Sequence, residues 1–298
     1  MTPTATFTPT ATPTPTPEPV ARNKIAFTSR RSGVAQIYLM DPDGSGVQQL
    51  TSEGENEAAA WSPDGKWLAF TSTRDGDAEI YVMRADGSDV RNLTRSPGSD
   101  DEDATWSPDG QRLAFTSDRS GHEDIYVIGV DGSGLRRLTT DPAQDSAADW
   151  SVQGQIAFVS DRDDSYNDRD DPEIYVMDDD GSNQQNVSRD VAADYYPRWS
   201  PDGSQIVFKS HVASSMDLFV MDADGSGKTR LTDEFTYVYA ADWSPDGRTL
   251  VFALDTDCPT GQRSNCNREI YTVAATGGAL TRLTFEPAED WGPVWSPE

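Results

Sequence analysis

Cysteine, histidine and long apolar runs are what this chain of 298 residues has least of: two Cys, two His and no stretch near eighteen apolar residues. Without such a stretch no membrane-spanning helix is expected. No basic stretch leading into an apolar one, as a secretory leader would show, is visible either. The two histidines, His122 and His211, stand far apart and belong to no recognisable triad, and no G-x-S-x-G occurs. Positive charge is also scarce: 24 Lys and Arg against 51 Asp and Glu leave a net charge of −27. Phosphate backbones need clustered cations, so nucleic acid is a poor partner. Cations and basic proteins are the better candidates, and a purely solubilising role for the acid is the bland alternative.

Residues 1–20, MTPTATFTPTATPTPTPEPV, alternate Thr and Pro with almost nothing to bury. The composition predicts an extended linker or stalk over residues 1–22, ahead of one folded domain over 23–298.

What the folded part has in abundance is repetition. Trp-Ser-Pro-Asp-Gly begins at Trp61, Trp106, Trp199 and Trp243, with worn copies at Trp150 and Trp295. The successive spacings of 45, 44, 49, 44 and 52 residues are those of a four-stranded propeller blade. After each SPDG turn comes a β-rich run such as KWLAFTS, then a strand such as EIYVM, a DGS turn, and a run such as VRNLT. These are strands B, C and D; a short innermost strand A leads into the next Trp. Six B–C–D units start near Lys24, Lys66, Gln111, Gln155, Ser204 and Arg248. The first (24–51) lacks a strand A and the last strand A (291–295) lacks a successor, so the two are expected to pair. The fold class read from this is all-β, a six-bladed β-propeller closed by its C-terminal strand, which removes the open sheet edge.

WSPDG, the [LI]-[AV]-F-x-S run, (E/D)-IY-V-M, DGS and R-x-LT together resemble the propeller of TolB and its relatives, a WD-like repeat family, over residues 24 to 298. That resemblance implies a channel able to hold calcium and a mouth that binds a protein partner. The same repeat also serves gating domains and sugar lyases, so it fixes fold better than function.

The SPDG and DGS turns are nearly uniform, so function is expected on the opposite face, among the D–A and B–C loops. Five residues before the blade Trp residues stand Asn56, Asp101, Asp145, Asp194, Val238 and Asp290. Equivalent places in a ring would aim five oxygen ligands at one axis, and carboxylates held close together need a cation between them, Ca²⁺ by preference. Glu57 and Glu102, one residue further in, with Tyr195, Tyr237, Tyr239 and Trp291, make a candidate surface for a protein or peptide, expected to be basic. Tyr196 and Phe235 belong to the same aromatic set, and packing between blades is the alternative for any of them. The acidic B–C loop SDRDDSYNDRDDPE (160–173) could clamp a basic partner or simply be solvated.

A Ser-x-Arg signature recurs at Arg31, Arg74, Arg119 and Arg162, with blades five and six departing at Val212 and Asp255. Repetition assigns these arginines to pairing with neighbouring acids. The EF-hand-like DPDGSG, DDDGSN and DADGSG lack the closing Glu and lie between strands, where Asp and Gly are what a tight hairpin requires. Cys258 and Cys266, in one loop, fit a local disulfide and hence an extracytoplasmic location, periplasm or cell surface. The reading is a non-catalytic, monomeric binding scaffold. A metal-dependent lyase of the oligogalacturonate type and a purely structural surface module are the alternatives.

Overall fold

The computed structural model describes residues 21–163, 171–189, 192–212, 215–232, 237–256 and 266–298. Every regular element among them is a strand, and the strands form six four-stranded antiparallel sheets. Five sheets follow the chain in order. The sixth is built from both ends: Asp290–Trp295 lies beside Ile25–Ser29, followed by Gln36–Met40 and Gln48–Gln49. Its register pairs Ile25 with Trp295 and Ser29 with Asp290, and Ser296 and Lys24 bond backbone to backbone just beyond it. The closure expected from counting blades is therefore present, with strand A beginning one residue earlier, at Asp290. Neighbouring strands A touch all the way round the ring and enclose a central channel. Of the expected stalk, residues 1–20 lie outside the described residues; Ala21 already donates its N–H to Gly65 O on the SPDG face.

Strands B and C are buried on both faces, which is why they read as nearly continuous apolar runs: all five residues of Ile25–Ser29 and of Gln36–Met40 are buried. The core is accordingly divided into slabs between blades. One slab joins Ile25 and Phe27 of blade one to Val251 and Ile270 of blade six, and another joins Ala26 and Ile37 to Leu68 and Phe70 of blade two. The F-x-S and IY motifs meet across strands B and C as a ring pair, tilted in blades one to four, as Phe70 on Tyr81 with centroids 5.8 Å apart, and stacked in blade six and in blade five, where Phe219 takes the place of the Tyr. The Thr of the LT motif bonds strand C, as Thr51 Oγ1 does by accepting from Ile37 N–H at 2.9 Å.

The turns account for their own acid. In blade two Asp64 accepts from Ser62 Oγ at 2.7 Å and from Lys66 N–H at 3.1 Å, with Gly65 at a φ of +67° that only glycine adopts readily. In the DGS turns Asp43 accepts from Ser45 N–H and Oγ, and that side-chain bond holds its carboxyl below the usual range. The EF-hand-like strings are hairpins.

Candidate functional site

The ring of residues five before each Trp is buried rather than open to the axis. Asn56, Asp101, Asp145, Asp194 and Asp290 are each 0% exposed. Each receives a side-chain donor from its own blade. Arg119 forks onto both oxygens of Asp101 at 2.7 Å, Arg162 onto Asp145 at 2.8 and 2.9 Å, Arg31 onto Asp290 at 2.8 Å, and Arg74 onto Asn56 Oδ1 at 2.9 Å. These guanidiniums also lie over the Phe–Tyr pair, Arg119 at 5.5 Å from Phe115 and 5.0 Å from Tyr126. Arg31, Arg119 and Arg162 thus pair with acids as expected while Arg74 meets the amide of Asn56, and all four partners are residues read as calcium ligands. A protein cation stands where the metal was expected, and among the described residues no group of three or more His, Cys, Asp or Glu is placed to hold one.

The two departing blades show the same logic. Blade five lacks the arginine but keeps Asp194, and Lys228 reaches it from the C–D side at 3.0 Å while lying 4.9 Å from the Phe208 ring. Blade six lacks both. Val238 pairs with Leu254 as Asp290 pairs with Ser29, so Thr256, not Asp255, occupies the arginine's place. In these two blades the carboxylate and its cation are kept or lost together.

A bulge in strand A shapes the channel. Its register slips three residues before the Trp, where Ala58, Asp103, Ala147 and Tyr196 adopt φ between 51° and 53° and Gly292 a φ of 57°. The extra residue re-aims its neighbours, so that in most blades the residues four, three and one before the Trp reach channel-facing cavities.

The cavity at the loop-side mouth encloses about 340 Å³. One wall, from blades two and three, carries Glu57, Glu102 and Asp103. The other, from blades five, six and one, carries Tyr196, Lys209, Tyr239 and Trp291, with Arg198 at the floor. Glu57, Glu102, Tyr239 and Trp291 were expected as a partner surface, and the fold brings them to this one cavity. Tyr195 stands beside it, 5.2 Å from Lys209 Nζ, and Tyr237 packs on Tyr239 with centroids 5.8 Å apart without lining it. Phe235 lies outside the described residues, as does Cys258, so the Cys258–Cys266 bridge stays an expectation.

The two walls are electrically opposed. Desolvation, then Asp103 and Glu57, push the Glu102 carboxyl up to about 7, and Glu57 is raised by the same combination of burial and Asp103 while the Trp291 indole donates to it. Asp103 is itself raised by burial, against the pull of Arg198, and with burial it pushes the Tyr196 phenol up to about 12. Across the cavity burial and then Arg268 bring the Lys209 amine down to about 8. Below them Arg198 lies 3.6 Å from Asp149, whose other oxygen accepts the Trp199 N–H at 2.7 Å. Asp242, raised to about 6 chiefly by burial, accepts the Trp295 N–H at 2.7 Å. The histidines are not gathered. His122 contacts Asp141 O at 3.0 Å in blade three, and His211 lies opposite Met216 in blade five.

No curated protein matches the chain in sequence. Among solved structures it is similar to TolB from Acinetobacter baumannii, with a TM-score of 0.76 and 22% identity over 93% of this chain and 67% of that one. A putative TolB from Agrobacterium tumefaciens gives 0.70 and 20% over 93% and 99%. An oligogalacturonate lyase in complex with manganese gives 0.61 and 16% over 89% and 74%. At these identities the likeness is one of fold. The TolB beta propeller domain model matches residues 51–169 and 164–262, most of the blades described above, and the chain belongs to that family.

Proposed function

We propose that this propeller is a non-catalytic binding scaffold that takes a protein or peptide segment at its loop-side mouth. The observation that carries the reading is the single cavity with opposed walls, Glu57, Glu102 and Asp103 facing Tyr196, Lys209, Tyr239 and Trp291. Aromatic faces supply contact area at small entropic cost, and the charges fix orientation, which is the usual division of labour at a peptide site. The expectation of a simply basic partner is too narrow for this cavity, since one of its walls is cationic. The expected Cys258–Cys266 bridge and the family's TolB members favour an extracytoplasmic setting.

The lyase reading draws on the lyase neighbour named above, but a metal-dependent lyase needs ligands in one place. His122 and His211 sit in different blades, and a polyanionic sugar would meet a chain of net charge −27.

Peptides selected by display on the wild-type protein test the proposal. Their affinity is expected to fall at least tenfold with Glu57→Gln/Glu102→Gln. It is expected to be unchanged by Val152→Ser, a substitution at the opposite mouth. Peptides indifferent to the first and weakened by the second would place binding on the other face and sink the assignment.

A further inference from the structure

The chain has four lysines. Three of them meet a carboxylate: Lys24 bonds Asp41, Lys66 lies 3.7 Å from Asp64 and Lys228 lies 3.0 Å from Asp194. Lys209 meets none among the described residues. It projects from strand B of blade five, Gln205–Val212, into the loop-side cavity. Its ammonium sits among three tyrosine rings, 5.2 Å from Tyr195, 4.6 Å from Tyr196 and 5.9 Å from Tyr239.

The same register position in the other blades holds Thr28, Thr71, Thr116, Val159 and Ala253, so no repeated structural need calls for a lysine there. The other cations near the cavity are engaged: Arg198 beside Asp149, and Arg268 3.7 Å from Asp255 while stacking 3.7 Å over Tyr239. Ring faces stabilise an ammonium but replace only part of its lost hydration, and burial together with Arg268 lowers the amine's proton affinity. A half-buried cation without a counter-ion still loses hydration at a cost, and the group that relieves the cost is an anion arriving from outside.

Resting on the reading of this mouth as a peptide site, we infer that Lys209 is the seat for a carboxylate of the bound segment, its C-terminus or an Asp or Glu side chain. Glu57, Glu102 and Asp103 across the cavity then select a segment that carries positive charge beside that carboxylate. A uronic-acid oligosaccharide offers the same carboxylate chemistry, but its repeated anions would lie against the acidic wall. The peptide source is therefore the one the charges favour.

The test is a pH titration of protein labelled with ¹³Cε-lysine, whose four resonances include one assigned to Lys209 by its loss in Lys209→Met. The probes are N-acetylglycine for a chain end, N-acetyl-aspartate α-amide for a side chain, N-acetylglycinamide as the uncharged control, and trigalacturonate. The inference expects Lys209 to titrate below the ordinary range of a lysine amine. It expects one of the two amino-acid carboxylates to raise its midpoint by about 1–3 pH units, the effect of an opposite charge brought alongside, with saturation. The uncharged control should do nothing.

Equal shifts at Lys24, Lys66 and Lys228, equal effects of the uncharged control, or no saturable shift would overturn the seat. A response to trigalacturonate alone would overturn the peptide source. Display-selected peptides separate this failure from that of the proposed function. Peptides weakened by Glu102→Gln but indifferent to Lys209→Met and to removal of their carboxylates would leave the mouth as the site and remove only the carboxylate seat. Peptides that never depend on the mouth would remove the function itself.

Discussion

Replacing Arg119 by Met should destabilise the protein more than replacing Arg74 by Met, although the two arginines occupy equivalent places. Both stack on a Phe–Tyr pair, at 5.5 and 5.0 Å for Arg119 and 5.6 and 4.7 Å for Arg74. They differ in what their guanidinium meets. Arg119 neutralises Asp101, which is 0% exposed, through two bonds of 2.7 Å, whereas Arg74 gives one bond of 2.9 Å to the neutral amide of Asn56. Removing one partner of a buried ion pair costs about 3–5 kcal/mol because the other charge stays behind. Leaving a neutral buried acceptor unsatisfied costs about 1–3 kcal/mol. The stacking loss is common to both, so the difference, about 2 kcal/mol, measures the stranded charge. Urea unfolding followed by Trp fluorescence and circular dichroism gives both values, provided the two probes coincide. The double substitution Arg119→Met/Asp101→Asn should recover most of the difference. Equal losses for the two single variants would show that the arginines act by stacking alone, and would refute the pairing account of the ring.

Stability should rise on mild acidification. Glu102 and Asp242 have carboxyls raised to about 7 and about 6, so between the unfolded values near 4 and these the native state binds more protons. The melting temperature is therefore expected to increase from pH 8 to pH 5.5, and Glu102→Gln/Asp242→Asn should flatten the rise; a fall over this range would contradict it. Calcium and magnesium at matched ionic strength should shift the melting temperature of metal-stripped protein equally, because the five ring residues already have protein donors; a saturable rise specific to Ca²⁺ would restore the metal reading. Thiol titration of the unreduced, denatured protein should find no free thiol. Reduction should cost about 2–3 kcal/mol for so short a loop, and two titratable thiols would remove the bridge.

The fold was legible because it is written six times. Strand order, turn positions and the Asp290–Trp295 closure all follow from where WSPDG repeats and where a strand A lacks a partner. The candidate site was half legible. Glu57, Glu102, Tyr239 and Trp291 stand at one offset before the Trp, and equivalent offsets share a cavity. The acid ring was visible too, but its chemistry was not, since Arg119 returns to Asp101 from 18 residues downstream through a fold that a linear reading does not close. The signal was present in the exceptions: Val238 loses its acid in the blade that also loses its arginine, and Asp194 keeps its acid where Lys228 replaces one. Asp103 was missed because it reaches the channel only through the strand A bulge at its φ of 53°. Lys209 could have been found as the one charged residue in a column of Thr, Val and Ala.

Hydrogen exchange of the free protein and of its complex with a display-selected peptide tests the central claim most directly. Protection confined to the first halves of strands A in blades two, three, five, six and one, around Glu57, Glu102, Tyr196, Tyr239 and Trp291, is the predicted result. Protection instead at the SPDG turns around Val152 and Trp243, or along the outer strands D, would contradict a loop-side mouth as the binding site.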